Sequence, residues 1–240
     1  MKKMLCESFF RLVKSMECWL GMVLTVVFTL ISSSAYIGRR DASVDEWAFG
    51  GINFMFIFGS AVIGLFLFHD YSEGTLRLKI SSGNSRNVFY IANLIISVCY
   101  MLALGLIYAI TALLISRTDI SLDGFDVTAT RKTALLLVGI IISNSAITTF
   151  VGMSFKNVLG AITPMLINVI MTFLMIFISN GSDEGSFGKL LAKALPYGQT
   201  DFLSCITVPK ELPTMLICAF LVSFIATVLG TIIFKYSDIK

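Results

Sequence analysis

Long apolar runs separated by short polar stretches dominate the order of residues along this chain. Six runs, 17–37, 48–68, 89–116, 133–155, 158–179 and 214–234, carry almost no charge. A helix needs about 20 apolar residues to cross a hydrocarbon core of roughly 30 Å, so each run predicts a membrane span. An even number of spans places both termini on one side of the membrane. The fold predicted is an all-α integral membrane domain covering residues 1–240.

Three further segments are amphipathic or polar. In residues 1–16, Leu5, Phe9, Leu12, Val13 and Met16 recur at helical spacing, with Lys3, Glu7, Arg11 and Lys14 opposite. Glu7 and Arg11 are spaced as a favourable pair one turn apart. This pattern predicts an interfacial helix, its charged side toward water. It serves either as an insertion anchor or as a lever packed beside the next polar segment. That segment, 69–86, is a charged island between two spans. Asp70 and Glu73 are spaced as a capping box, with Asp in place of Ser or Thr. Glu73 and Arg77 form another pair, and Gly83 stands at a C-cap position. A short helix across the membrane plane follows, and Arg86 leads into the third span. So large a polar hairpin in so apolar a chain predicts a docking site for a soluble partner. The third segment, 180–213, places Phe187, Leu190, Leu191, Ala194 and Leu195 on one stripe, with Lys189 and Lys193 opposite, until Pro196 stops the helix. It predicts an amphipathic outer segment in which Leu191, Leu195 and Pro196 act as a gate, with Gly185, Gly188, Pro196 and Gly198 as bending points.

Composition narrows the choice. The chain is 56% hydrophobic and 14% charged, with a mean hydropathy of +0.87, which excludes a soluble domain of this size. With the N-terminus inside, basic residues divide ten inside against eight outside. This excess favours cytoplasmic termini under the positive-inside rule. The pI near 8.6 then reflects a basic cytoplasmic face, and nothing in the pattern predicts nucleic-acid binding. The first span also has the outline of a signal peptide, with Ser32, Ser33, Ser34 and Ala35 as a small-residue run. Its long lead, carrying Glu7 and Glu17, favours an uncleaved span.

Candidate chemistry is sparse. The five cysteines form no CxxC, and His69, the one histidine, has no neighbouring ligand set. No GxxxxGK[ST] loop is present, and no triad or carboxylate pair could run hydrolysis. The chain is therefore predicted to be neither an enzyme nor a cofactor binder. Within the spans, Asn144 marks the fourth, and Asn168 and Thr172 mark the fifth. Polar groups at membrane depth face protein or a cavity, so each is either an interhelical hydrogen bond or part of a substrate path. Gly51, Gly59, Ser60 and Gly64 read as a close-packing face. No carboxylate inside a span offers a proton relay, which points to an external source of energy.

The island carries a resemblance. Asp70-Tyr71, Glu73-Gly74-Thr75, Arg77 and Ser82-Gly83-Asn84-Ser85-Arg86 resemble the hairpin motif of type-two ABC exporter permeases, closest to the small bacterial permeases of bacitracin and lantibiotic resistance. Leu195-Pro196-Tyr197-Gly198 also looks like that family's segment before the last span. The resemblance implies that 69–86 is a coupling helix seated on a separate ABC ATPase subunit, which brings ATP and Mg. It implies a second permease copy or a sister permease, a bacterial cell-membrane location, and export of amphipathic peptides or antibiotics. Two other classes remain: a self-powered carrier or channel, and a membrane immunity protein that sequesters a peptide without transport.

Overall fold

A computed structural model describes residues 2–34, 51–75, 85–116, 127–155, 158–181, 187–204 and 212–236. Among these residues every element is a helix. In chain order they are α1 (Lys2–Lys14), α2 (Met16–Ser34), α3 (Ile52–Ser72), α4 (Arg86–Ser116), α5 (Val127–Ser154), α6 (Val158–Gly181), α7 (Phe187–Ala194), α8 (Pro196–Gln199), a 3-10 turn (Thr200–Ser204) and α9 (Leu212–Tyr236). Five of them, α3, α4, α5, α6 and α9, are long and apolar enough to cross a membrane. The α1–α2 pair, bent by 60°, makes a sixth candidate if it is counted as one. Within the described residues each predicted apolar run falls on a long helix, and several helices overrun their runs. α5 starts at Val127 rather than 133 because Val127-Thr-Ala-Thr-Arg-Lys-Thr133 holds no Gly or Pro to stop it. Hydrophobicity marks bilayer thickness, and breakers mark helix ends.

The most enclosed helices are α5 and α3. α9 lies along α5, and α6 lies along α3. Small residues make these approaches possible, since lipid offers helices no hydrophobic drive to associate and close van der Waals contact must do so. A Cβ at Gly64 of α3 would strike the carbonyl of Ala161 on α6, and one at Gly59 would strike the Met101 side chain of α4. The predicted close-packing face of α3 is therefore present. α2 shows the same rule. Cys18, Gly21, Thr25 and Thr29 are buried, whereas Trp19, Leu20, Val23 and Val27 are exposed. Thr25 and Thr29 donate to the carbonyls of Gly21 (2.8 Å) and Thr25 (2.6 Å), which satisfies both hydroxyls within the helix.

Three tyrosines of α4 tie neighbouring helices at different levels. Tyr90 donates to the Ala226 carbonyl of α9 (3.5 Å), Tyr100 donates to the Cys18 carbonyl of α2 (3.2 Å), and Tyr108 accepts from the Gly51 N–H before α3 (3.1 Å). Gly21 and Gly230 leave the room that Tyr100 and Tyr90 occupy.

α1 divides its apolar residues. Its buried positions are Met4, Ser8 and Leu12, while Phe9 and Val13 of the predicted stripe are exposed, as is Phe10 beside them. The helix packs beside α4 and leaves Phe9, Phe10 and Val13 outside, as α2 leaves Trp19, Leu20, Val23 and Val27. The elbow to α2 is built by Ser15. Its hydroxyl donates to the Leu12 carbonyl (2.8 Å) and accepts from the Cys18 N–H (3.3 Å), so one side chain closes α1 and caps α2. Trp19 Nε1 donates to the Val13 carbonyl (2.9 Å) across the bend.

Candidate functional site

The island begins inside α3. The capping box predicted at Asp70 and Glu73 does not form. α3 runs on to Ser72, Glu73 is its C-cap, and Gly74 turns the chain with φ of +66°. The reason is continuity: nothing between the span and Ser72 breaks the helix, and the first residue suited to a left-handed turn is Gly74. The Glu73 N–H donates to the His69 carbonyl (3.1 Å) and the Gly74 N–H to the Tyr71 carbonyl (3.3 Å), which completes the stop.

This placement buries Asp70, whose side chain is only 1% exposed. An ionised carboxylate there needs a counter-charge, and it comes from α1: Arg11 Nη1 lies 2.6 Å from Asp70 Oδ1. The guanidinium also sits 4.7 Å from the centre of the Phe66 ring, one turn earlier on α3. Burial works against the charge on Arg11, but the hydrogen bond and charge of Asp70 outweigh it and raise its pKa, with Glu73 and Glu7 adding attraction from further away. Arg11 was expected on the water-facing side of α1. It turns inward because Asp70 can be neutralised only from there. The Gly74 turn brings Thr75 back, so that its hydroxyl donates to Asp70 Oδ1 (2.8 Å).

Two more residues of the motif reach other helices at the same end of the bundle. The Tyr71 hydroxyl donates to the Met153 carbonyl in the last turn of α5 (3.1 Å), and Arg86 Nη1 donates to the Lys235 carbonyl at the end of α9 (2.9 Å). His69 Nε2 lies 3.3 Å from Glu17 Oε1 on α2. The predicted coupling residues Asp70 and Thr75 thus meet each other, while Tyr71 and Arg86 anchor to separate helices. Glu73 is exposed, and Arg77 and Gly83 lie outside the described residues. Sequence reasoning missed Arg11. The available signal was Asp70 itself, a carboxylate close to a span that required a cation from another helix.

The residues proposed for a path are enclosed. Asn144, Asn168 and Thr172 are all buried, and no hydrogen bond joins them. Asn168 Nδ2 donates to the Pro164 carbonyl of its own helix (3.0 Å). Neither amide atom of Asn144 has a hydrogen-bond partner among the described residues, nor does the Thr148 hydroxyl one turn later. Ser97 and Thr149 make the interhelical bond that this region does contain, at 3.0 Å between α4 and α5.

At the opposite end, Leu195 is extended, as a residue before proline should be, and Pro196 opens the short helix α8 rather than only ending α7. Pro196 is buried, Leu191 and Leu195 are half-buried, and Phe187 and Leu190 of the same predicted stripe are exposed. Gln199 is fully buried and pins the segment, donating to the carbonyls of Lys193 (2.8 Å) and Met215 (3.0 Å). Burial pushes the Tyr197 hydroxyl pKa up. Gly198 was expected as a bending point. Instead it lies against the backbone of Ala192, where a Cβ would collide, so this glycine serves close packing. Gly185 lies outside the described residues.

Comparison with protein-family models, with curated proteins and with solved structures finds no match to this chain.

Proposed function

We propose that this chain is the membrane-spanning half of an ATP-driven exporter, working with a separate ABC ATPase subunit and with a second permease copy or sister permease. In this reading α1 is an interfacial helix, residues 69–86 form the cytoplasmic coupling segment, and both termini face the cytoplasm of a bacterial cell. The outer segment 187–203 gates exit, and the cargo is an amphipathic peptide or antibiotic. ATP and Mg are held by the partner chain, where hydrolysis takes place.

The observation that supports this most is the set of ties at the root of 69–86. Asp70 holds α1 through Arg11, Tyr71 holds α5 through Met153, and Arg86 holds α9 through Lys235. A segment tied to the ends of three helices cannot be displaced without moving them, which is what a coupling element requires. A mere connector between two spans would need none of these bonds.

The test is co-purification. From native membranes the chain is expected to bring down an ATPase subunit and to stimulate its hydrolysis. Glu73→Ala and Arg77→Glu should leave abundance intact, since Glu73 is exposed and a charge pair at the spacing of 73 and 77 contributes only about 0.2–1 kcal/mol, while lowering the stimulation. Transport by the purified chain alone, without any ATPase, would overturn the reading in favour of a self-powered carrier.

A further inference from the structure

We propose that the groove between the α1–α2 elbow and the end of α3 is a binding site for the headgroup of a phospholipid bearing a primary amine, of the phosphatidylethanolamine class. The groove has a volume of about 450 Å³, within the range of small-ligand sites. Its charged lining is Glu7, Arg11, Lys14, Glu17, His69 and Glu73, and Phe10, Val62 and Phe66 form apolar walls.

Position selects a lipid. Phe10, which borders the groove, is 68% exposed, and Phe9, Met16, Trp19 and Leu20 around the elbow are exposed as well. So large an apolar surface belongs in acyl chains. Trp19, with its indole hydrogen bond at the elbow, is the residue type that settles at headgroup level. A slot with a greasy border and a charged interior, at the end of a span, matches a molecule that is itself apolar below and charged above.

Charge selects the headgroup. Asp70 already holds Arg11, and Glu17 lies beside His69. Among the described residues Lys14 and Glu73, both exposed, make no ion pair. The open groups in the lining are thus one ammonium, on Lys14, and one carboxylate, on Glu73. A phosphate diester suits Lys14. An ammonium with three N–H donors suits Glu73, and a quaternary amine has no N–H to offer it. With three glutamates in the lining and Arg11 already held by Asp70, a purely anionic headgroup or a free phosphate meets net repulsion.

The experiment uses the full-length chain in nanodiscs made of equal parts phosphatidylethanolamine, phosphatidylcholine and phosphatidylglycerol with identical chains. Native mass spectrometry then counts the lipids retained on release. The expected result is selective retention of phosphatidylethanolamine. Lys14→Glu should reduce that retention about threefold to fivefold, the scale of one exposed ion pair. Glu73→Lys should turn the preference toward phosphatidylglycerol. Equal retention of the three lipids, or a preference for phosphatidylglycerol in the unaltered chain, overturns the proposal. So does retention unchanged in both variants, and if the variants then weaken association with an ATPase subunit, the groove belongs to that subunit. Thermal unfolding of each variant confirms that the fold is intact. The lipid readout requires no ATPase, so this inference stands or falls separately from the exporter reading.

Discussion

At the α1 end of the bundle, Asp70, Tyr71 and Arg86 each reach a different helix, whereas in the middle of the bundle Asn168 bonds its own helix and the amide of Asn144 bonds nothing described. Both groups are polar side chains in an apolar molecule. They differ in what they join. The end group fixes helices to one another, whereas the two asparagines join nothing across helices and leave that to Ser97 with Thr149 and to the tyrosines of α4.

Removing one member of the charge pair should break this contrast most severely. Arg11→Ala leaves the Asp70 carboxylate buried without its cation, and stranding one partner of a buried pair costs about 3–5 kcal/mol. Thermal unfolding in detergent should show a large loss of stability. Arg11→Leu combined with Asp70→Leu should recover much of it, because an apolar pair of similar volume needs no charge compensation. Equal instability of the single and double variants would mean that the pair contributes through packing alone.

The middle group should respond in the opposite direction. An unsatisfied buried polar group costs about 1–3 kcal/mol, so Asn144→Leu, which keeps the branched shape without the polar atoms, should unfold at the same temperature as the parent chain or higher. If export falls while stability rises, the amide serves transport rather than folding. A clear loss of stability would show that Asn144 is paired in the membrane, and the contrast between the two groups would then disappear.

The smallest effect sharpens the comparison. Tyr71→Phe removes only the hydrogen bond to Met153, worth about 0.5–1.5 kcal/mol. Abundance should be nearly unchanged, and ATPase stimulation should fall if the tie between α3 and α5 transmits movement. Unchanged stimulation would restrict transmission to the Arg11 and Arg86 ties.

The spans were legible because bilayer thickness dictates run length, and Gly59 and Gly64 were legible as packing residues because small side chains at helical spacing have few other uses in lipid. The packed face of α1 was not. Phe9 and Val13 of the apolar stripe are exposed, as a stripe meant for the membrane can be, but the buried positions Met4, Ser8 and Leu12 carry no pattern that tells protein from lipid. The Ala192–Gly198 contact escaped because a glycine near a proline reads first as a bending point. Asp70 was misread because a local spacing matched a capping box, while the partner that decides its placement comes from a different helix.

The Arg11–Asp70 bond also orders events during synthesis. Arg11 leaves the ribosome before either α2 or α3, and its carboxylate appears only at the end of α3. Until then α1 has nothing to hold it inward and must wait at the membrane surface with its charge hydrated. In the exporter reading, closure of the pair requires that α2 and α3 have returned the chain to the side of the membrane where α1 waits.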